Sequence, residues 1–343
     1  MKQPQVRRRV GVIMGGSSGE REVSLRSGSA MADALEARGH EVVRMALGED
    51  FGAELASMVT RSRIDVAMLA LHGRLGEDGC VQGLLELAGI PYTGSSVLAS
   101  ALAMDKLKAK ELFRLHNVPT PPYYTVEASA DLADLEAMHG SFGFPVVVKP
   151  RGEGSSLGVS KATNMAELAR AIEVALDLDD TAIVERFVAG TEVNVGILDG
   201  QVLGAIEIVP KHGMYDYEAK YTPGMTEYFM PARLSPTRYR GVLNLAERAA
   251  RSLAVSGACR VDLLVTSGEN EYVLEVNTLP GMTQTSLLPK IAASAGYSFS
   301  DLCEAILDRA RLHTPARRKA AERAPGSFRT DVVAPLRLVK SAG

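Results

Sequence analysis

Residues 258–283 read ACRVDLLVTSGENEYVLEVNTLPGMT and contain two short apolar stretches separated by a polar turn. Asp262 lies in the first stretch, and Glu275 and Asn277 lie in the second. Because successive side chains of a β-strand point to opposite faces, Glu275 and Asn277 share one face about 7 Å apart, and a hairpin would bring Asp262 across to meet them. The neighbouring residues VDLLV and YVLEV are apolar, which argues against a solvent-facing hairpin with scattered polar residues.

Such a hairpin would present two carboxylates and one amide oxygen. These hard oxygen ligands suit Mg²⁺, which usually keeps its remaining coordination positions for water and phosphate oxygens. The hairpin therefore predicts a metal site that serves a nucleoside triphosphate.

The composition is that of an enzyme of two or three domains. The chain has 343 residues, and its 46% hydrophobic content supplies ample core. A net charge of −3 gives no general attraction to nucleic acid or to an anionic membrane.

Cys80, Cys259 and Cys303 have no CxxC spacing, which argues against a disulfide framework or a zinc site. No apolar run has the length of a signal peptide or a membrane span, so we expect a cytoplasmic protein.

Short apolar strands alternate with helical stretches in residues 1–103. RRVGVIM and the stretch 64–71 read as strands, and helices are predicted over residues 24–38 and about 79–88. Gly39 and Gly89 follow these helices at the position of a left-handed cap. This alternation predicts a first domain with a parallel sheet covered by helices.

The organisation changes after residue 103. A helix is predicted from Met104 to Leu115, and three prolines after it stop it. Residues 144–149 and 182–188 read as strands, and Asn164 followed by Glu167 resembles the start of a helix that runs to about Leu178.

The remaining residues predict a hairpin, a helix and a tail. Asp199-Gly200 between apolar runs is a strong turn signal, and a helix is expected from Ser235-Pro236 to Gly257. We expect domains over 1–103, 104–188 and 189–314. Residues 315–343 are basic and are predicted to be a flexible appendage, with a nucleic-acid or partner-binding arm as the alternative.

Lys149 ends a strand and precedes the loop GEGSSLG, residues 152–158. Backbone N–H groups of small residues can approach phosphate oxygens closely, and an ammonium adds a point charge. The lysine precedes the glycines, so this is not a P-loop, and residues 15–19 do not match the dinucleotide fingerprint. The loop after Lys149 is therefore a candidate phosphate site of a different kind.

Six motifs in order resemble the D-alanine:D-alanine ligase family of the ATP-grasp superfamily. They are GGSSGEREVS (15–24), LHGRLGEDG (71–79), PYTGSSVLASALAMDK (91–106), EGSSLGV (153–159), YDYEAKY (215–221) and EVNTLPGMT (275–283). The similarity runs from about residue 8 to residue 312. It implies an α/β protein with an ATP-grasp fold preceded by a Rossmann-like parallel-sheet N-terminal domain.

The resemblance also implies a role for each matching residue. Those on the nucleotide side are Lys106 and Lys149 for the ATP phosphates, Glu185, Arg186 and Val188 for the adenine, Glu192 for the ribose, Lys220 for the phosphate, and Asp262, Glu275 and Asn277 for two Mg²⁺ ions, with Mn²⁺ as a substitute. On the substrate side, Glu20 would contact the ammonium of the first D-alanine, Ser286 the carboxylate of the second, and Arg260 and Gly281 the oxyanion. Ser155 and Tyr221 would form a hydrogen-bonded group with Glu20 that closes over the substrates. Further substrate contacts would be Val23, His72 and Leu287.

The implied activity is the ATP-dependent joining of two D-alanine molecules through an acyl phosphate, for peptidoglycan precursors, by a cytoplasmic homodimer. Two alternatives stay open: a ligase that uses D-serine or D-lactate as the second substrate, and an ATP-grasp protein that binds nucleotide without turnover. Tyr221 favours the dipeptide, and residues 211–228 are expected to form a mobile cover. Arg186 stands where many members of the family have lysine.

Overall fold

A three-stranded parallel sheet forms the first part of the chain. The computed structural model describes residues 7–48, 50–211, 222, 224–268, 270–283 and 285–314. The strands pair in the order β2-β1-β3, and their bounds and those of the helices between and after them are β1 (Arg9–Gly15), α1 (Arg21–Ala37), β2 (Glu41–Leu47), α2 (Phe51–Ser62), β3 (Val66–Leu69) and α3 (Cys80–Ala88). Gly39 and Gly89 have φ of +87° and +69°, so the predicted left-handed caps are confirmed. The predicted parallel α/β architecture is confirmed as well.

The helix predicted from Met104 to Leu115 is wrong at its start. The structure has two helices, α4 (Val97–Met104) and α5 (Lys106–Leu115). Between them Asp105 has an extended backbone, and its carboxylate accepts a hydrogen bond from the Lys108 N–H as an N-cap. The same carboxylate accepts two hydrogen bonds from the Arg151 guanidinium, at 2.9 and 2.6 Å. This contact with a residue distant in sequence fixes the break.

A four-stranded antiparallel sheet of order β4-β7-β5-β6 follows. Its strands and helices are β4 (Tyr123–Glu127), α6 (Leu135–His139), β5 (Val146–Pro150), β6 (Ser160–Ala162), α7 (Met165–Leu176) and β7 (Thr181–Arg186). Asn164 caps α7 as predicted, because its side chain accepts from the Glu167 N–H at 3.0 Å. The Glu167 carboxylate accepts from the Thr163 N–H at 2.7 Å.

The third sheet is five-stranded and antiparallel, in the order β10-β9-β8-β11-β12. Its strands and the helix α8 are β8 (Thr191–Leu198), β9 (Gln201–Pro210), β10 (Thr226–Phe229), α8 (Pro236–Ser252), β11 (Ala258–Val265) and β12 (Glu271–Asn277). The turn at Asp199-Gly200 is confirmed, with φ of +48° and +84°. Helix α8 starts after the Ser235 cap as predicted, but it ends at Ser252 rather than Gly257, since Ala254 adopts a left-handed φ of +54°.

The last helices pack against the first part of the chain. Helices α9 (Leu287–Ser294) and α10 (Phe299–Leu307) contribute to the same buried apolar cluster as β1 and α1. The His40 Nε2 lies 3.0 Å from a carboxylate oxygen of Glu304. The described residues up to His313 belong to one compact unit, so the predicted boundaries after residues 103 and 188 stay predictions. Within the described ranges, no helix is both long and apolar enough to cross a membrane.

Candidate active site

Two cavities meet at a shared wall. The first contains Glu20, His72 and Ser286, and the second contains Lys149 and Glu192. Four residues line both: Lys106, Glu153, Gly154 and Glu275. The site therefore has two compartments that are joined at a charged wall.

Strand β12 supplies Glu275 to this wall, and the neighbouring strand β11 supplies Asp262 to the second cavity. Asp262 faces Glu275 in the antiparallel register, and Arg260 faces Asn277. Asp262 is only 5% exposed, and its two carboxylate oxygens accept hydrogen bonds from the Arg260 guanidinium, both at 2.7 Å. The hairpin predicted from the sequence is confirmed, and its register brings the two carboxylates together.

The donor set at this hairpin fits a hard divalent cation. Asp262 lines the second cavity, Asn277 the first and Glu275 both. Among the described residues, no cluster of three or more His, Cys, Asp or Glu side chains is arranged to hold a metal. A cation here would therefore rest on two carboxylates and an amide, and would depend on phosphate and water for its remaining ligands. Mg²⁺ in nucleotide sites is commonly bound in this manner.

A buried carboxylate between two lysines lies at the base of the second cavity. Glu185 on β7 lies 3.0 Å from the Lys149 ammonium and 2.9 Å from that of Lys110. Burial opposes ionisation of Glu185, but the charges of Lys110 and Lys149 outweigh it and lower the pKa of the carboxyl group. For Lys110 burial dominates and lowers its pKa from 10.5 to about 8. Glu185 is thus an ion-pairing residue within this structure, and its predicted contact with adenine stays a prediction.

Lys106 lies at the junction of the two cavities. Its ammonium donates a hydrogen bond to the Glu153 carbonyl oxygen. Burial lowers the pKa of Lys106, and the nearby Lys149 adds to this effect, whereas Glu275 opposes it. A lysine in this position can meet an anion that spans both compartments.

The loop after β5 separates the two cavities. Ser155 and Ser156 have φ of +49° and +59°, which is unusual for residues other than glycine. The Ser155 hydroxyl donates a hydrogen bond to the Glu20 carboxylate, which comes from the start of α1. Gly154 is close to the same carboxylate, since an added Cβ would lie 3.3 Å from a Glu20 oxygen. The loop is thereby joined to the first part of the chain.

The opposite end of the first cavity is lined by residues after β12. The backbone at Gly281 comes so close to Ser286 that a Cβ there would lie 2.9 Å from the Ser286 hydroxyl oxygen. Ser286 begins α9, and its hydroxyl accepts from the Thr283 N–H at 3.1 Å. Val23 and Leu287 line the same cavity.

His72 is buried beside Glu77 in the first cavity. Its Nδ1 lies 3.9 Å from the Glu77 carboxylate. Burial lowers the pKa of the imidazole, but the carboxylates of Glu77 and Glu20 outweigh it, so the net shift is upward. His72 can therefore carry a proton next to the first cavity.

The other predicted nucleotide contacts line the second cavity. They are Arg186, Val188 and Glu192. The Arg186 guanidinium donates to the Phe142 carbonyl oxygen at 2.7 Å. Lys220 and Tyr221, with most of the predicted cover over residues 211–228, lie outside the described residues.

Several charged residues in or next to the two cavities are absent from the sequence-based assignment, among them Glu77, Lys110 and Glu153. Lys110 follows Lys106 by four residues, so the two share a helix face, and this spacing was the signal available in the sequence. Glu77 and Glu153 lie inside two of the quoted motifs. The structure adds that Glu77 also accepts from the Gly73 N–H at 2.7 Å, which holds the loop around His72.

Comparisons with known proteins agree with this geometry. Residues 112–308 match the family model described as D-ala D-ala ligase C-terminus, and residues 49–95 match the one described as D-ala D-ala ligase N-terminus. A D-alanine–D-alanine ligase of Anaeromyxobacter dehalogenans is 53% identical over 89% of this chain and 97% of its own length. One from Geobacter sulfurreducens is 52% identical over 89% of this chain and 94% of its own length.

Solved structures show the same relationship. The D-alanine–D-alanine ligase of Bacillus anthracis superposes with a TM-score of 0.76 at 36% identity, covering 89% of this chain and 97% of that one. The VanG D-Ala:D-Ser ligase of Enterococcus faecalis superposes with a TM-score of 0.76 at 30% identity, covering 88% of this chain and 99% of that one.

Proposed function

This chain belongs to the D-alanine–D-alanine ligase family, and on that premise we propose that it joins two D-alanine molecules at the expense of ATP. The products are D-alanyl-D-alanine, ADP and phosphate. The observation that supports this proposal most strongly is the junction of two cavities at Lys106, Glu153, Gly154 and Glu275. A phosphoryl transfer from nucleotide to amino acid needs such a shared wall.

The first step activates a carboxylate. An amine does not displace oxide from a carboxylate, so the carboxylate oxygen of the first D-alanine attacks the terminal phosphorus of ATP, and the bond to the oxygen of ADP breaks. Lys106 lies where the transferred group passes between the cavities, and Lys149 faces the nucleotide side. Their positive charges offset the negative charge on the phosphoryl oxygens.

Magnesium is assigned to the β11–β12 hairpin. Asp262, Glu275 and Asn277 would hold the ions, which when bound neutralise phosphate oxygens and polarise the phosphorus. ATP use follows from the family, and one solved relative is an ATP complex of the Bacillus anthracis ligase. Two ions, with Mn²⁺ as a substitute, are what the resemblance implies.

The second step forms the amide. The deprotonated amine of the second D-alanine attacks the acyl carbon, an oxyanion develops, and the bond to phosphate breaks as the carbonyl reforms and the nitrogen releases a proton to solvent. Arg260 and the Gly281 N–H are assigned to that oxyanion, since both residues line the first cavity. Glu20, which accepts a hydrogen bond from Ser155, is assigned to the ammonium of the first D-alanine. Ser286 is assigned to the carboxylate of the second D-alanine.

A different acceptor is the second candidate. The structural similarity to a D-Ala:D-Ser ligase is the observation that favours keeping it. The same cavity could receive D-serine or D-lactate, since these differ from D-alanine by one small polar group. A homodimer in the cytoplasm is the expected setting for either activity.

A panel of acceptors tests both candidates. The full chain is incubated with ATP, Mg²⁺ and D-alanine, alone or with equimolar D-serine or D-lactate, and ADP and products are quantified by chromatography. We expect D-alanyl-D-alanine as the main product, with one ADP for each dipeptide, and no turnover with L-alanine alone. A mixed product in excess would favour the second candidate. Nucleotide binding without ADP release would contradict both.

A further inference from the structure

The loop between the two cavities needs contacts from outside to keep its shape. Ser155 and Ser156 are both in the left-handed region, a strained conformation that persists only where neighbouring groups determine it. Glu153 and Gly154, just before them, line both cavities. The contacts that hold this loop therefore determine the wall between substrate and nucleotide.

Arg74 contacts this loop from the first part of the chain. It lies in the loop that follows β3, and its Nε donates to the Glu153 carboxylate at 2.8 Å. Its Nη2 donates to the Leu178 carbonyl oxygen at 3.2 Å and lies 3.6 Å from the Asp179 carboxylate. Asp179 in turn accepts from the Gly152 N–H at 2.8 Å. One guanidinium thus links the start of the loop to the segment after α7.

The ion pair between Arg74 and Glu153 offsets a negative charge on the shared wall. Its side chain is 17% exposed, whereas that of Arg74 is 57% exposed. An unpaired carboxylate on the shared wall would repel both the triphosphate and the carboxylate of the amino acid. The guanidinium offsets that charge without lining either cavity itself.

Glu153 also holds a phosphate-site lysine. Its backbone carbonyl accepts the hydrogen bond from the Lys106 ammonium. A displacement of Glu153 would therefore move the end of Lys106. The contacts form a chain from Arg74 through Glu153 to Lys106.

We propose that Arg74 is a positioning residue for the ligation: it holds Glu153 so that Lys106 and the loop 152–158 keep the two cavities joined to each other and closed to water. The inference rests on the proposed function. Because the Arg74 side chain is 57% exposed, we expect its loss to change folding stability little and to appear in the kinetics.

The test uses Arg74→Gln in the full chain, with Arg44→Gln as the matched control. Arg44 forms comparable surface pairs with Asp33 at 2.6 Å and Glu36 at 2.9 Å, away from both cavities. For Arg74→Gln we expect kcat/KM for ATP to fall roughly tenfold, as for the loss of one charge-assisted hydrogen bond. We also expect more than one ADP for each dipeptide, because water reaches the acyl phosphate. Arg44→Gln should keep wild-type kinetics and stoichiometry, and both variants should melt as wild type does.

The variant Glu153→Gln, alone and combined with Arg74→Gln, tests whether Arg74 acts through Glu153. If Arg74 acts through Glu153, then adding Arg74→Gln to Glu153→Gln should cause little further loss, since the charge to be offset is already absent. Additive losses would overturn the proposal. So would wild-type kinetics and stoichiometry for Arg74→Gln in an enzyme that makes the dipeptide. A wild-type chain that makes no dipeptide would instead overturn the proposed function, and this inference with it.

Discussion

Glu275 is the residue that links the two halves of the site. It faces Asp262 across the hairpin and lines both cavities. We expect Glu275→Gln to lower kcat by at least about 100-fold, because a metal-facing carboxylate supplies charge to the reaction. Its thermal unfolding should be nearly unchanged, since the side chain adds little to core packing.

Glu271→Gln is the matched control for this substitution. Glu271 lies on the same strand, pairs with Arg238 at 2.9 Å and lines neither cavity. Steady-state kinetics should show a loss of turnover for Glu275→Gln but not for Glu271→Gln. Melting curves should show that Glu275→Gln unfolds nearly as the wild type does. A variant of Glu275 that turns over normally but unfolds more readily would show that the carboxylate is structural.

At the residue scale, the sequence predicted the polar residues of the hairpin but not how their charges are balanced. Asp262, Glu275 and Asn277 could be assigned because strand alternation is a local rule. The spacing of Lys110 from Lys106 indicates a shared helix face, but its pairing with Glu185, which lies far along the chain, could not be read from the sequence. Which lysine neutralises a buried carboxylate is decided by tertiary packing.

Helix α10 is an element whose start is encoded locally. The Ser298 hydroxyl accepts from the Asp301 N–H at 3.1 Å, and the Asp301 carboxylate accepts from the Ser298 N–H at 3.3 Å. We expect Ser298→Ala to lower the free energy of unfolding by about 1 kcal/mol, the usual cost of a lost N-cap. Ser294→Ala, at an exposed position that is not a cap, should change it by less than about 0.5 kcal/mol.

The pH dependence of this cap has a definite sign. Hydrogen bonds from Ser298 and then from Arg38 lower the pKa of Asp301 from 3.8 to about 2. Because the carboxyl pKa is lower in the folded state, its stabilisation is complete above about pH 5 and is lost as the pH falls towards 2. Denaturation of wild type and Asp301→Asn between pH 3 and 8 should show a constant difference above pH 5 that shrinks below pH 4. A difference that grows with acidity would contradict this assignment.

At the element scale, local signals predicted most strands and turns, and tertiary contacts explain the exceptions. The turn at Asp199-Gly200 follows from two residues that accept positive φ. The predicted helix from Met104 to Leu115 missed α4 and the break at Asp105, because the pairing of Asp105 with Arg151 depends on the fold. That break starts α5 at Lys106, which places this lysine at the junction of the cavities.

In the molecule as a whole, the parallel sheet of the first part of the chain and the two hairpins follow from local patterns in the sequence. The junction between the cavities could not be derived from patterns. It requires residues from α5, the loop after β5 and strand β12 to meet, and these are widely separated in sequence. The family resemblance assigned Lys106 and Glu275 to phosphate and metal, and the structure adds Glu153 and Gly154 beside them.

In the proposed reaction the donor carboxylate is phosphorylated before the amide forms. The most direct measurement uses D-alanine with oxygen-18 in both carboxylate positions, together with ATP and Mg²⁺, and mass spectrometry of the released phosphate. We expect each phosphate to carry one oxygen-18 from the donor, because the carboxylate oxygen that attacks phosphorus leaves with the phosphate. The ADP should carry no label. Unlabelled phosphate released while D-alanyl-D-alanine forms would contradict the acyl phosphate route.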